Sequence, residues 1–193
     1  MEIAIIDYGA GNIQSIKFAF QRIGINPVLT HNSETILKAD KVIFPGVGEA
    51  SSAMKKLKAT GLDVLIPTLN QPVLGICLGM QLMCKFSEEG NTNGLGIFDA
   101  EVKKFSNKVK VPQIGWNQIS ALKTDLFDGI SENEYMYLVH SFYAPICSET
   151  IAISNYELDY SSALQKENFY GTQFHPEKSS SAGQRVLENF LKL

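Results

Sequence analysis

Val73-Leu74-Gly75-Ile76-Cys77-Leu78-Gly79-Met80-Gln81 is the stretch on which the fold turns. An apolar run meets a glycine, a cysteine and a second glycine, then passes into helical spacing. This is the layout of a nucleophile elbow, in which a buried strand turns sharply into a helix and holds a reactive side chain in a strained conformation. Gly75 and Gly79 flank Cys77 at i−2 and i+2, where bulkier residues would clash with adjacent backbone. The helix that follows aims its N-terminal N–H groups and positive dipole end at the sulfur, which favours thiolate.

Outward from that unit, the first half alternates short apolar strands with helical patterns, the signature of a parallel sheet covered by helices. Residues 3–6 read as a strand, and Asp7-Tyr8-Gly9-Ala10-Gly11-Asn12 as a turn. Helical spacing over 13–23 through Ile16, Phe20 and Ile23 stops at Gly24. Strands are expected at 27–29 and 41–44, the latter broken by Pro45-Gly46-Val47-Gly48, and a helix at 50–58. Residues 73–76 form the central strand and 78–86 the helix after the elbow. The second half has shorter strands at 101–105, 118–121, 135–139 and 151–154, then one at 169–174 that ends at His175-Pro176. Residues 179–181 offer an N-cap, and Val186, Leu187, Phe190 and Leu191 give a last helix its core-facing stripe. The expectation is one α/β domain over 1–193: a three-layer sandwich with a mostly parallel central sheet and a smaller mixed or antiparallel extension.

At 193 residues the chain can bury one sizeable core, and 45% hydrophobic with 19% charged residues suits a globular protein. A net charge of −3 argues against nucleic acid or an anionic membrane as the main partner. No apolar run is long enough to span a bilayer, and the start Met1-Glu2-Ile3-Ala4-Ile5-Ile6 reads as a strand, not a leader. Three cysteines, Cys77, Cys84 and Cys147, cannot all pair and form no Cys-x-x-Cys, so no metal is expected and a reducing cytoplasm is the natural setting.

Cys84, seven residues after Cys77, falls on the same helical face only as a packing residue, and Cys147 has no special surroundings, so both read as structural. Of the histidines, His31 lies in a polar loop and His140 at a strand's end, where it is either structural or lines a site. His175 differs: Glu177 follows two residues on, with Pro176 fixing the backbone between. In an extended segment both side chains point one way, so the carboxylate would hold Nδ1 and leave Nε2 to take a proton from sulfur. An oxyanion formed by attack on a carbonyl needs donors. The N–H of Leu78 is one candidate, and the Pro45-Gly46-Val47-Gly48 loop, through Val47, is the second. Glycines on both sides of Val47 would let its peptide flip between states.

Gly-Ile-Cys-Leu-Gly-Met-Gln with a distant Phe-His-Pro-Glu resembles the class I (triad) glutamine amidotransferases. Further segments, Ile6 to Asn12 with Ser15, Pro45 to Gly48, Pro112-Gln113-Ile114-Gly115-Trp116-Asn117 and Gln173 to Ser179, are similar to the branch of that family serving histidine biosynthesis. The resemblance runs from first strand to last helix. It implies Cys77 as nucleophile, His175 as general base and acid, and Glu177 as the orienting carboxylate, acting on L-glutamine without a cofactor. Gly46, Gly48, Gln81 and Glu89 would border the glutamine, with Glu88 an alternative to Glu89, and the backbone at Ser141 and Phe142 would take its α-carboxylate. It also implies a separate TIM-barrel cyclase that receives ammonia in a heterodimer, with Asn12, Ser15, Trp116, Tyr137 and Lys178 at or near that interface. The chain departs from the family's pattern at Gln113, where a histidine is common, and at Phe142.

Two other readings stay open on sequence alone. One is a triad amidotransferase subunit serving another synthase, such as one for surface-sugar amidation. The other is a non-catalytic module of the same fold, disfavoured by the joint presence of Cys77, His175, Glu177 and Gln81.

Overall fold

Four strands whose residues are all buried, Ile3–Ile6, Lys41–Phe44, Val73–Ile76 and Phe169–Thr172, lie side by side and parallel at the centre of the computed structural model. The structure describes residues 1–9 and 13–193, and Asn12 falls outside them. In chain order the first half comprises β1 (Ile3–Ile6), α1 (Ile13–Arg22), β2 (Val28–Thr30), α2 (Ser33–Lys38), β3 (Lys41–Phe44), α3 (Ala50–Thr60), α4 (Leu62–Leu65), β4 (Val73–Ile76) and α5 (Leu78–Met83). There follow β5 (Cys84–Ser87), β6 (Thr92–Asn93), β7 (Phe98–Lys104), β8 (Gln113–Ile119), β9 (Glu134–His140), β10 (Phe142–Tyr143), β11 (Thr150–Asn155), β12 (Asp159–Lys166), β13 (Phe169–Thr172) and α6 (Ser180–Phe190).

Among the described residues the main sheet has seven strands in the order β11-β12-β13-β4-β3-β1-β2. The five from β13 to β2 are parallel, and β12 and β11 continue the sheet antiparallel. A four-stranded sheet, β10-β7-β5-β6, and the antiparallel pair β8-β9 make the smaller extension. This is the expected class, a layered α/β fold. Side-chain alternation along the strands splits the core in two. Ile3, Ile5, Ile43, Leu74 and Ile76 pack with Ile16 and Phe20 of α1 and Val186, Leu187 and Phe190 of α6. Ala4, Ile6, Val42, Phe44 and Val73 pack instead with Ala53, Met54 and Leu57 of α3 and with α5.

The parallel arrangement has a direct consequence for chemistry. β1, β3, β4 and β13 run the same way, so the segments that follow them emerge at one end of the sheet. Tyr8, the loop 45–48, Cys77 and the run 173–177 therefore gather there, although they are distant in sequence.

Two expectations are corrected. The helix expected at 78–86 ends at Met83, because another part of the chain takes its carbonyls. Leu95, Ile97 and Gly96 N–H groups donate to the carbonyls of Leu82, Met83 and Cys84, at 2.8, 2.9 and 3.2 Å. Cys84 then turns extended and pairs with Phe98 in β5–β7, so it lies on no helical face. At the last helix Ser179 occupies the N-cap position without a side-chain cap bond. Its hydroxyl instead accepts from Tyr137 N at 2.9 Å and donates to His175 O at 2.7 Å, tying β9 to the turn after β13.

Candidate active site

Cys77 stands between β4 and α5 with φ 54° and ψ −110°, a backbone conformation that costs a non-glycine residue of order 1–3 kcal/mol. It is held there from both sides. Its N–H donates to Thr172 O at 2.7 Å, extending the β4–β13 pairing by one residue. A Cβ on Gly79 would lie 2.0 Å from Phe44 O, and one on Gly75 would lie 2.3 Å from Met83 Cε and 2.9 Å from Met80 N. So α5 rests backbone to backbone on the end of β3, and only glycine permits that approach. Leu78 opens α5, and its N–H has no partner inside the helix.

His175 follows β13, and its N–H is fixed on Tyr137 O at 2.9 Å. Glu177 Oε1 lies 2.9 Å from His175 Nδ1, both side chains almost fully buried. The reach comes from a tight 3₁₀ turn over Pro176–Lys178, not from the extended pair expected from i, i+2 spacing. Proline opens that turn with its φ already set. With Nδ1 occupied, Nε2 is the ring atom left for the hydrogen bond to Cys77. Burial by itself would push the imidazole pKa down. The hydrogen bonds and charges of Cys77 and Glu177 together outweigh it and lift the pKa to about 10. At neutral pH the ring therefore holds a proton beside the sulfur, ready for a leaving nitrogen.

A raised histidine pKa is also a stability statement. Below the ordinary value of 6.5 folded and unfolded chains are both protonated, and the contribution is complete; it is lost as pH rises through about 10. The unfolding free-energy difference between the parent chain and His175→Gln should accordingly shrink from pH 6.5 to 10. Denaturant melts across that range would check this, and a difference that held constant or grew would count against the charged pair.

Cys77 and His175 open into a cavity of about 330 Å³, within the range of small-molecule sites. Val47, Gly48, Leu78, Gln81, Glu89, Ser141 and Phe142 all stand on its wall. Gly46 does not: a Cβ there would lie 2.5 Å from Gly79 N, so its glycine serves the contact with α5 and not the cavity. Glu89 and Glu88 part company. Glu89 faces the cavity, accepts from Ala50 N at 2.9 Å, and has its pKa raised chiefly by burial. Glu88 turns away to accept from Lys104 N at 2.8 Å. Gln81 donates both amide hydrogens to protein, to Phe142 O at 2.9 Å and Gln173 Oε1 at 2.8 Å, which leaves its carbonyl oxygen for a ligand's ammonium.

His140 is a wall residue, and a neutral one. Burial is the largest cause pushing its pKa to about 4; the His175 charge adds to that, and the Phe142 backbone hydrogen bond opposes it. Nδ1 donates to Phe142 O at 2.7 Å, and Nε2 faces Tyr160 Oη at 3.4 Å. Gln113 is buried behind it and accepts from Tyr160 Oη at 3.1 Å. Sequence reasoning gave Gln173 and Val139 no role, yet both touch the sulfur. Gln173 Nε2 donates to Sγ at 3.7 Å, and Sγ lies 3.7 Å from Val139 O. The available signal for Gln173 was its parity with His175, two residues on and so on the same side of an extended segment.

Of the residues expected at an interface, Trp116, Tyr137 and Lys178 fall on one surface. Trp116 and Tyr137 pair across β8–β9 with ring centroids 6.0 Å apart, and Lys178 Nζ lies 5.9 Å from the Tyr137 ring. Ile114 (62% exposed), Trp116 (53%) and Tyr135 (51%) make an apolar ribbon too exposed for ordinary monomer packing. Lys178 also borders the cavity, so the ribbon adjoins its mouth. Ser15 is half-buried on α1.

A family model described as Glutamine amidotransferase class-I matches residues 4–193. Imidazole glycerol phosphate synthase subunit HisH of Bacteroides fragilis is 55% identical, over all of this chain and all of that protein. The protein of the same name from Yersinia pseudotuberculosis is 45% identical at the same full coverage. Among solved structures, a glutamine amidotransferase from Thermotoga maritima superimposes with a TM-score of 0.66 at 17% identity, covering 100% of this chain and 83% of that one. Another glutamine amidotransferase superimposes with a TM-score of 0.76 at 16% identity, covering 100% of this chain and 98% of that one. Those likenesses show the fold. Among the described residues no helix is long and apolar enough to cross a membrane.

Proposed function

The chain belongs to the class I glutamine amidotransferase family, and on that premise we propose that it is the glutaminase subunit of an imidazole glycerol phosphate synthase. The observation that carries the chemistry is the Cys77–His175–Glu177 chain, whose cysteine and histidine line a small-molecule cavity. Cys77 attacks the side-chain amide carbon of L-glutamine, and the oxyanion is held by the N–H groups of Leu78 and Val47. The His175 imidazolium gives its proton to the departing nitrogen, ammonia leaves, and a glutamyl thioester remains. Water, deprotonated by His175, then releases glutamate. Glu89 and the Gln81 carbonyl oxygen suit the α-ammonium, and the Ser141–Phe142 backbone lies where the α-carboxylate would sit.

Ammonia released into neutral water becomes ammonium, which is no nucleophile. A partner must therefore receive it directly. We assign that role to a separate TIM-barrel cyclase, which makes imidazole glycerol phosphate and an aminoimidazole carboxamide ribotide in the cytoplasm. The ribbon of Ile114, Trp116 and Tyr135, with Tyr137 and Lys178, is the surface proposed to meet it. Asn12 and Ser15 are proposed to contact the same partner.

The oxyanion loop is suited to gating by that partner. Tyr8 Oη donates to Pro45 O at 2.9 Å and Gly46 is pinned against Gly79, so the loop's first half is clamped. Gly48 has φ +98° and open space around it, which gives Val47 slack on its far side to turn its N–H toward or away from the oxyanion. Glutamine hydrolysis by the isolated chain should be slow and should rise by roughly 10²-fold or more with the cyclase and its ligand, the value of one oxyanion donor. Equal rates with and without the cyclase would overturn the gating. A rise seen only with a different synthase would move the assignment to that partner.

A further inference from the structure

We infer that Gln173 is a positioning residue for the Cys77 sulfur, donating its side-chain N–H to Sγ in a polarity imposed by a chain of amides that starts at the Phe142 carbonyl. This rests on the reading of Cys77 as the nucleophile.

The two ends of a glutamine amide look alike, but here the surroundings leave no choice. Phe142 O is a backbone carbonyl and can only accept, so the Gln81 atom 2.9 Å from it must be the NH₂ group. The same NH₂ lies 2.8 Å from the Gln173 side chain, and that facing atom must therefore be oxygen. The other end of Gln173, 3.7 Å from Sγ, is then the NH₂. His140 Nδ1, 2.7 Å from the same Phe142 carbonyl, supports the chain's origin. Gln173 is fully buried, so no water competes for these bonds.

The sulfur has reason to need this donor. Val139 O, 3.7 Å away, accepts from the thiol but repels negative charge once the proton has gone. The His175 bond cannot offset that throughout the reaction, because the imidazolium surrenders its proton to the leaving nitrogen. The Gln173 N–H is a neutral donor that remains in place at every stage. It also sits on β13's continuation, where Gln173 N is fixed to Ser162 O at 2.8 Å, so its position is set by the sheet and not by the cavity's contents.

The test is the pH–rate profile for iodoacetamide alkylation of Cys77 in the full chain, read by mass spectrometry on the Cys77 peptide. Gln173→Glu keeps the shape and can still accept from Gln81, but its carboxylate offers no hydrogen to sulfur. Gln173→Met removes donor and acceptor without adding charge. Alkylation at pH 7 should slow roughly tenfold in Gln173→Met and more in Gln173→Glu, with both profiles moved to higher pH, as expected for one lost hydrogen bond to a charged group. In the presence of the cyclase, kcat for glutamine should fall with KM nearly unchanged, a split that a loosened cavity would not give. Thermal melts identify which variants fold, and either folded variant decides. A parent that alkylates selectively at Cys77, with folded variants following the same pH profile, overturns the inference alone. A parent in which Cys77 alkylates no faster than Cys84 and Cys147 overturns the nucleophile reading, and this inference with it.

Discussion

Cys77→Ala should lower glutamine hydrolysis by roughly 10⁴-fold or more, and Cys77→Gly should lower it equally while melting at a higher temperature than the alanine variant. Both lose the sulfur, and with it the only group in the cavity proposed to bond covalently to substrate. They differ in the backbone. Alanine inherits the conformation at φ 54° and ψ −110°, which glycine adopts freely. Relief of about 1–3 kcal/mol of strain, less about 0.5–1 kcal/mol for glycine's greater freedom when unfolded, leaves roughly 1 kcal/mol in favour of Cys77→Gly. That corresponds to about 2–4 °C for a chain of this size. The measurement is glutamate formation with the cyclase present, beside thermal melts of both variants. Hydrolysis surviving in Cys77→Ala would remove the thioester route. An alanine variant more stable than the glycine one would mean that the elbow stores no strain.

Gly79→Ala should cost the fold about 3–4 kcal/mol and lower hydrolysis by roughly 10²-fold or more. An added methyl would sit 2.0 Å from Phe44 O and 3.0 Å from Phe44 C, and these are backbone atoms that no rotamer change can move aside. Either β3 or α5 must shift, and α5 carries Cys77 at its head. The displacement would pull sulfur away from an imidazole that is anchored separately, through β13 and β9. Gly61→Ala is the control. Gly61 has φ +70° with nothing within 4 Å of a new Cβ, so that change should cost only about 1 kcal/mol of backbone strain and leave hydrolysis intact. Denaturant melts and steady-state assays of the two variants settle the comparison. Equal costs would show that the close approach at Gly79 is not a constraint.

Legibility in the sequence followed burial. β1, β3 and β4 have all four residues buried, appear as short apolar runs (led in β3 by Lys41), and start and stop where expected. β12 went unread because its middle is Ser161-Ser162, buried and satisfied by hydrogen bonds to Thr150 and Ser154 on β11 that the sequence does not display. The helix after the elbow was overrun for a related reason. Phe86 continues an apolar spacing, and what ends the helix at Met83 is a segment a dozen or so residues on that takes its carbonyls. Glu177 was placed correctly beside His175 by proximity in sequence, although the turn that joins them is not the extended geometry its spacing suggested.

Local chemistry alone determined that this polypeptide makes a strained cysteine turn between glycines and a proline-fixed imidazole with an acidic neighbour. Those are short-range facts of sterics and φ, which a stretch of residues carries wherever it lies. Folding decided that the two meet: parallel β4 and β13 are adjacent, so their carboxyl ends deliver Cys77 and His175 to one spot. Folding also decided which end of the Gln173 amide the sulfur sees, because that polarity is handed on from a carbonyl on a different strand, and hydrogen-bond direction across a core is a property of the assembled neighbours and of no single segment.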